Sequence, residues 1–221
     1  MGNISRKRGP LILDGGCGTG WVSFFLQKAG LKTVMLDASR EMLAKCLLLK
    51  SSYGLSSPLI KGTLTDLPFE KETFDVCILL DVLEHIPALS RCMKEIWRVL
   101  TAGGKLLMTT PNKFGTYTGI YDFIGEKILK RQVSDHVHFF SIKNLLKTLY
   151  EYGFLVEKVE NIEFFSPLFH MVSRNLKYGR RLICYLSKMD VSLSDLLPDQ
   201  VVSEWFIIAF KSRKKISYAK I

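Results

Sequence analysis

The feature that most constrains the fold is a glycine-rich turn, DGGCGTG at residues 14–20, between an apolar run and a segment with helical periodicity. Glycines let a backbone turn tightly and approach a ligand closely. The N-terminus of the helix that follows presents unpaired N–H groups. The spacing G-x-G-x-G fits neither the dinucleotide fingerprint G-x-G-x-x-G nor a P-loop, which requires Gly-Lys-Ser/Thr. The turn therefore predicts a ligand site of another kind; the alternative is a glycine-rich βα turn without a ligand.

Apolar runs of strand length alternate with helix-period stretches along most of the chain. We predict strands at Pro10–Asp14, Lys32–Asp37, Pro58–Lys61, Phe74–Leu80, Lys105–Thr110, Phe154–Asn161 and Ser203–Lys211. We predict helices at Trp21–Ala29, from a Ser39 cap to about Lys50 with Met42, Leu43, Cys46 and Leu47 on its apolar side, from Pro87 to near Leu100, and at Ser141–Tyr152. This order indicates an α/β fold with a parallel sheet and helices on both faces.

Polar residues stand at or just beyond the ends of several predicted strands: the 14–20 turn, Asp37, Thr63 and Asp81. In open parallel sheets ligands bind at the carboxyl ends of the strands, near the switch in strand order, so these groups should converge on one crevice. A carboxylate at Asp37 can accept hydrogen bonds from both hydroxyls of a ribose. The alternative for Asp37 is an ordinary acid at a helix N-terminus.

The length of 221 residues suits a single domain, residues 1–221. Residues 166–198 carry helical patches without a strand signal, and we predict a lid or docking insertion there, followed by a basic tail at 211–221. The longest apolar runs are too short to span a membrane. Five cysteines without a C-x-x-C pair indicate a reducing compartment and no zinc site.

The positive charge is concentrated near the C-terminus. The whole chain carries a formal net charge of +10, and residues 166–221 contribute 10 basic and 4 acidic side chains, which is 10 − 4 = +6. Such a region suits nucleic acid, an anionic membrane surface or an acidic substrate. The alternative is a basic face that is merely solvated.

Four segments resemble a known family. In chain order ILDGGCGTG, LDASREML, GTLTDLPFEKETFDVCILLDVLEHI and RVLTAGGKLLMTTPN are similar to successive motifs of class I S-adenosylmethionine-dependent methyltransferases. The small-molecule branch with the ubiquinone- and menaquinone-biosynthesis-type enzymes fits best. The resemblance covers residues 10–112 and continues more weakly through 136–154. It implies a Rossmann-like, seven-stranded, mostly parallel sheet with an antiparallel last strand.

The resemblance implies S-adenosylmethionine as the cofactor and assigns residues to it. The turn around Gly16, Cys17 and Gly18 would line the methionine part, Asp37 would hold the ribose, and Met42 would pack near the adenine. The full set is Asp14, Gly16, Cys17, Gly18, Gly20, Asp37, Ala38, Met42, Thr63, Leu64, Leu80 and Asp81.

One departure from the family pattern concerns the adenine. Where the family has an aspartate facing the adenine amino group, this chain has Thr63. A hydroxyl still accepts a hydrogen bond, but without charge assistance. The backbone N–H of Leu64 can still serve a ring nitrogen, and we expect Asp66 to be a surface turn residue.

Three histidines are candidates for catalysis. His85 follows the fourth strand and could orient an acceptor or take its proton; the alternative is a histidine that fixes the turn. His136 and His138 alternate, so they could face the same side. With no third ligand at recognisable spacing we predict no metal site.

The family implies a methyltransferase that acts by in-line displacement on a small-molecule acceptor, lipid-like or aromatic. The alternatives are an RNA or protein methyltransferase with the same cofactor, and a non-catalytic subunit that kept the fold. About nine residues precede the first strand, where the family has a covering helical segment. The cofactor would then be covered by residues 116–130, by residues 166–198 or by a partner, or else the chain is a truncated form. We expect a cytoplasmic protein with peripheral contact to anionic membranes through the basic C-terminal quarter, and we do not expect nucleic acid as a partner.

Overall fold

The computed structural model describes residues 9–113, 136–163 and 204–212. Within these ranges a single sheet contains β1 (Leu11–Gly15), β2 (Lys32–Asp37), β3 (Leu59–Lys61), β4 (Phe74–Leu80), β5 (Leu100–Pro111), β6 (Phe154–Glu163) and β7 (Glu204–Lys211). The helices are α1 (Trp21–Lys28), α2 (Arg40–Tyr53), α3 (Leu89–Val99) and α4 (Ile142–Glu151), with a short 3-10 turn at Leu83–His85.

The strand order is β3-β2-β1-β4-β5-β7-β6. The pairs among the first five strands are parallel, and β7 runs antiparallel to both of its neighbours. The predicted seven-stranded, mostly parallel sheet with an antiparallel last strand is confirmed. The chain winds outward from β1 to β3 and then crosses to β4, so the strand order switches between β1 and β4. The carboxyl ends of these two strands therefore flank the place where a ligand crevice forms.

Most predicted boundaries agree with the structure within a few residues, but the prediction for β5 was too short. The strand begins at Leu100, which pairs with Phe74, and the register shifts before Val76 pairs with Lys105. Gly103 adopts a φ of 79° inside the strand. Gly103 and Gly104 thus lie in a bulge within β5, whereas the sequence predicted that the strand begins at Lys105.

Helix α2 contributes less to the core than its sequence suggests. Ser39 caps it as predicted, accepting a hydrogen bond from the Met42 N–H. Cys46 is fully buried, but Leu47, which we placed on the apolar side, is 52% exposed. Because α2 lies over the edge of the sheet, where β3 has only three residues, little apolar surface is available to cover a wider face.

Helix α3 packs more deeply. Its buried residues Cys92, Met93, Ile96 and Val99 recur at helical spacing, and they join β4 and β5 in the main core. This packing holds the end of β4 and the 3-10 turn after it in a defined position.

The segment 116–130, which we considered as a cover for the cofactor, lies outside the described residues. So do the predicted insertion at 166–198 and all but the first two residues of the tail at 211–221. No helix within the described ranges is long and apolar enough to cross a membrane.

Candidate functional site

A crevice of about 480 Å³ opens at the carboxyl ends of the central strands. Four segments line it: the glycine turn, the end of β2 with the start of α2, the loop after β3, and the loop after β4. Seven predicted cofactor residues lie on its wall: Gly16, Asp37, Ala38, Met42, Thr63, Leu64 and Asp81. Of the candidate histidines, His85 lies there too. The expectation that the strand ends converge on one crevice is met.

The glycine turn needs its glycines for two reasons. Gly16, Gly18 and Gly20 all adopt positive φ, at 71°, 53° and 88°, where other residues are strained. A Cβ on Gly16 would lie 2.6 Å from a Val82 methyl group, and one on Gly20 would lie 2.7 Å from the Cys46 sulfur. The backbone N–H of Gly16 also donates to the Leu36 carbonyl at 2.8 Å. The turn is therefore held against the end of β2.

Asp37 connects the turn to the second strand. Its Oδ2 accepts a hydrogen bond from the Gly18 N–H and its Oδ1 accepts one from the Ser39 N–H, both at 2.8 Å. The side chain is only 9% exposed but lies on the crevice wall. Each carboxylate oxygen can accept a second hydrogen bond. The Asp37 carboxylate can thus hold two backbone segments in place and still accept hydrogen bonds from hydroxyl groups of a ligand.

Five of the predicted cofactor residues do not appear on the crevice wall: Asp14, Cys17, Gly18, Gly20 and Leu80. The Asp14 carboxylate is buried and accepts from the N–H and the hydroxyl of Ser23, so it anchors the start of α1. Burial raises the pKa of Asp14, an effect that the Ser23 hydrogen bonds oppose. Burial likewise raises the pKa of the Cys17 thiol, which therefore stays protonated near neutral pH. Direct contacts of these residues with a ligand remain predictions.

The loop after β3 presents hydroxyl groups to the crevice. The Thr63 and Thr65 hydroxyls lie 3.1 Å apart, and both residues are on the wall. Asp66, expected at a surface turn, has a largely exposed carboxylate 3.9 Å from Arg91. This end of the crevice therefore offers neutral acceptors and donors to a ligand where the family pattern has a carboxylate.

Asp81 holds an unusual backbone conformation just beyond β4. Its φ of 53° is left-handed, which is uncommon for a residue other than glycine. The Asp81 N–H donates to the Thr109 hydroxyl at 3.0 Å, and that hydroxyl donates to the Asp81 carboxylate at 2.7 Å. This reciprocal pair fixes a polar side chain at the mouth of the crevice, and strain of this kind is typical of functional sites.

Of the three candidate histidines, His85 belongs to the loop after β4, and His136 and His138 contact that loop at different residues. The rings of His85 and His136 lie 4.8 Å apart between centroids. His138 instead places its Nε2 atom 2.9 Å from the Ile86 carbonyl and its ring beside Phe140. The sequence pairs His136 with His138, with no third ligand at recognisable spacing. The structure instead brings Glu84 to His85 and His136, with one donor atom of each within 4.8 Å of the others.

Sequence reasoning missed further residues of the crevice wall: Leu36, Ser39, Gly62, Thr65, Val82, Ile86 and Pro87. All of them are within two positions of a predicted site residue in the chain. Their proximity was the available signal, but only the folded loops show which neighbours face the crevice.

Comparisons with known proteins show which proteins the chain is similar to. Residues 13–108 match a family model described as a methyltransferase domain. The chain is 34% identical over 106 residues to a malonyl-[acyl-carrier protein] O-methyltransferase of Erwinia billingiae, covering 48% of this chain and 41% of that one. It is 28% identical over 152 residues to a ubiquinone biosynthesis O-methyltransferase of Aliivibrio fischeri, covering 66% of this chain and 64% of that one.

The chain thus spans less than two thirds of either relative. Among solved structures, a SAM-dependent methyltransferase of Methanosarcina mazei superimposes with a TM-score of 0.66 at 19% identity, covering 93% of this chain and 94% of that one. At this identity the likeness establishes the fold.

Proposed function

We propose that this chain, whose residues 13–108 match a methyltransferase domain, is a class I S-adenosylmethionine-dependent methyltransferase that methylates a small-molecule acceptor. The donor would lie along the crevice, with its ribose at Asp37, its adenine between Met42 and Thr63, and its methionine part beside the glycine turn. When bound, S-adenosylmethionine supplies an activated methyl group that an acceptor receives by in-line displacement.

The residues present fit such a ligand. Gly16 has no side chain on the crevice wall, and a Cβ there would collide with Val82. A ligand can therefore approach the backbone of the turn closely. Apolar Leu36, Met42 and Leu64 line the same space as polar Asp37 and Thr63. A nucleoside joined to an amino acid needs that combination of an apolar slot and a few placed polar groups.

The observation that carries the proposal is the position of the Asp37 carboxylate. It ends the strand next to β1, contacts the glycine turn through Gly18 N–H, and lies on the crevice wall. A carboxylate there is the group that recognises two vicinal hydroxyls of a ribose.

Because the methyl group of such a donor is already activated, the main roles of the protein are to position the acceptor and to exclude water. Asp81 and His85 are on the part of the wall that follows β4. Asp81 stays with the residues that the family resemblance assigns to the cofactor. We assign His85 to the orientation of the acceptor, and it can take a proton where the acceptor must lose one.

Calorimetric titration with S-adenosylhomocysteine tests the proposal directly. We expect one site per chain with a dissociation constant between about 1 μM and 1 mM, the usual range for enzyme ligands. NAD should bind much more weakly, because the turn lacks the dinucleotide spacing. Mass spectrometry of ligand released from the purified protein provides an independent check. No binding of S-adenosylhomocysteine at millimolar concentration would remove the methyltransferase proposal.

We infer that the acceptor is lipid-like or aromatic and is reached at an anionic membrane surface. The support is the sequence of residues 164–181, where Phe164, Phe165 and Phe169 precede Arg174, Lys177, Arg180 and Arg181. These residues lie outside the described ranges. A basic segment next to aromatic side chains is typical of interfacial binding.

Co-sedimentation with liposomes tests this inference about the acceptor. Each basic residue near an anionic bilayer contributes about 1 kcal/mol at modest salt. The chain should therefore sediment with anionic liposomes and not with neutral ones, and replacing the four Arg and Lys residues with glutamine should reduce its recovery. Equal recovery on both lipids would point to a water-soluble acceptor.

A further inference from the structure

Glu84, His85 and His136 form a compact group of side chains next to the crevice. One donor atom from each lies within 4.8 Å of the other two. Glu84 is 1% exposed, and the imidazole rings of His85 and His136 meet edge to face, with an angle of 69° between their planes. Two imidazoles and a carboxylate have thus come together from positions 51 residues apart in the chain.

Backbone hydrogen bonds hold this group together. The Glu84 carbonyl accepts from the Val137 N–H at 2.8 Å and from the His138 N–H at 3.0 Å. These two bonds fix the segment that carries His136 against the 3-10 turn that carries Glu84 and His85. The spatial relation of the three side chains therefore depends on main-chain contacts, which makes it well defined.

A residue behind the group orients the carboxylate. The Thr110 hydroxyl, which is fully buried, donates to a Glu84 oxygen at 3.3 Å. Hydrogen bonds of this kind to a ligating group are typical of metal sites, where they set the direction of the ligand.

We propose that Glu84, His85 and His136 bind a divalent cation of the zinc class. Two imidazole nitrogens and one carboxylate oxygen suit zinc and its first-row neighbours, whereas magnesium and calcium prefer sites built from oxygen alone. Bonds of about 2.1 Å require donors roughly 3.4 Å apart in a tetrahedral site. The donor atoms lie within 4.8 Å of one another, so binding of the ion would require them to approach by up to about 1.4 Å.

Three protein ligands leave a fourth position for another molecule, as in catalytic zinc sites. His85 is on the crevice wall together with Asp81 and Ile86, so an ion held by His85 would lie next to the ligand space. On the proposed function above, that position takes an oxygen of the acceptor. A cation there lowers the pKa of a bound hydroxyl group and fixes its direction.

Metal titration of the full chain, stripped with a chelator and free of S-adenosylhomocysteine, tests the site by itself. We expect one zinc ion per chain by calorimetry, weak or absent heat with magnesium, and visible absorption bands when cobalt is added. His85→Gln and His136→Gln should each weaken binding at least about tenfold, and Thr110→Val should weaken it by roughly tenfold as the loss of an orienting hydrogen bond.

His138→Gln is the matched control, because His138 lies two residues from His136 but contacts the Ile86 carbonyl. It should bind zinc as the unaltered chain does. No zinc binding in the unaltered chain would overturn the proposal. Zinc binding in both His85→Gln and His136→Gln as tight as in the unaltered chain would also overturn it, because the ion would then lie elsewhere. Glu84→Gln should also weaken zinc binding, but Glu84 is almost fully buried. If that variant does not fold, the two histidine variants still decide the question. Binding of S-adenosylhomocysteine is measured separately, so either proposal can fail without the other.

Discussion

Replacing Gly18 with valine is expected to abolish binding of S-adenosylhomocysteine while the chain remains folded. The position has a φ of 53°, and a Cβ added there meets no protein atom within 4 Å. The valine side chain would therefore extend into open space beside the turn, where the methionine part of the ligand is expected. The left-handed backbone costs roughly 1–2 kcal/mol with a side chain present. Calorimetry measures the binding and thermal unfolding measures the stability.

Gly30→Val is the matched control for Gly18→Val. Gly30 follows the other end of α1, has a φ of 81°, and also has nothing within 4 Å of an added Cβ. It carries a comparable backbone strain away from the crevice. We expect a similar loss of thermal stability in both variants and a loss of binding in Gly18→Val alone. Tight binding by Gly18→Val, or a crystal structure with the ligand away from residues 16–20, would contradict the assignment.

Replacing Asp37 with alanine is expected to weaken binding of S-adenosylhomocysteine by about 1.5–3 kcal/mol, the range for hydrogen bonds to a charged group. That loss corresponds to a roughly 10- to 150-fold rise in the dissociation constant. The variant should also melt at a lower temperature, since the Gly18 and Ser39 N–H groups lose their acceptor. Calorimetry of the folded variant, verified by circular dichroism, measures the effect.

A ligand without ribose hydroxyls separates direct recognition by Asp37 from its effect on the turn. The unaltered chain should bind the 2′,3′-dideoxy analogue of S-adenosylhomocysteine more weakly than the parent compound. Asp37→Ala should bind both compounds with the same affinity, because the partner of the hydroxyls is gone; the cycle isolates that pairwise contribution. An equal preference for the parent compound in both proteins would assign Asp37 to the turn alone.

Local sequence patterns were enough for much of the fold. The bounds of β2 and β4 agree with the prediction residue for residue, because a short apolar run ended by a polar residue determines a buried strand. The glycine turn, the Ser39 cap and the family motifs likewise depend on neighbouring residues. For the same reason, the sequence alone was enough to predict that residues at the strand ends share one crevice.

The sequence by itself thus determined the order of the helices and strands and the position of the crevice. It also determined the features that depend on neighbouring residues, which are the glycine turn and the Ser39 cap. The tertiary structure decided which side chains meet across long separations. Asp81 meets the Thr109 hydroxyl 28 residues away, and Glu84 with His85 meets His136 because backbone hydrogen bonds join segments about 50 residues apart. The bulge that extends β5 back to Leu100 also depends on its partner strand. Periodicity and spacing describe contacts within a few residues, whereas these contacts arise from packing between elements that are distant in the chain.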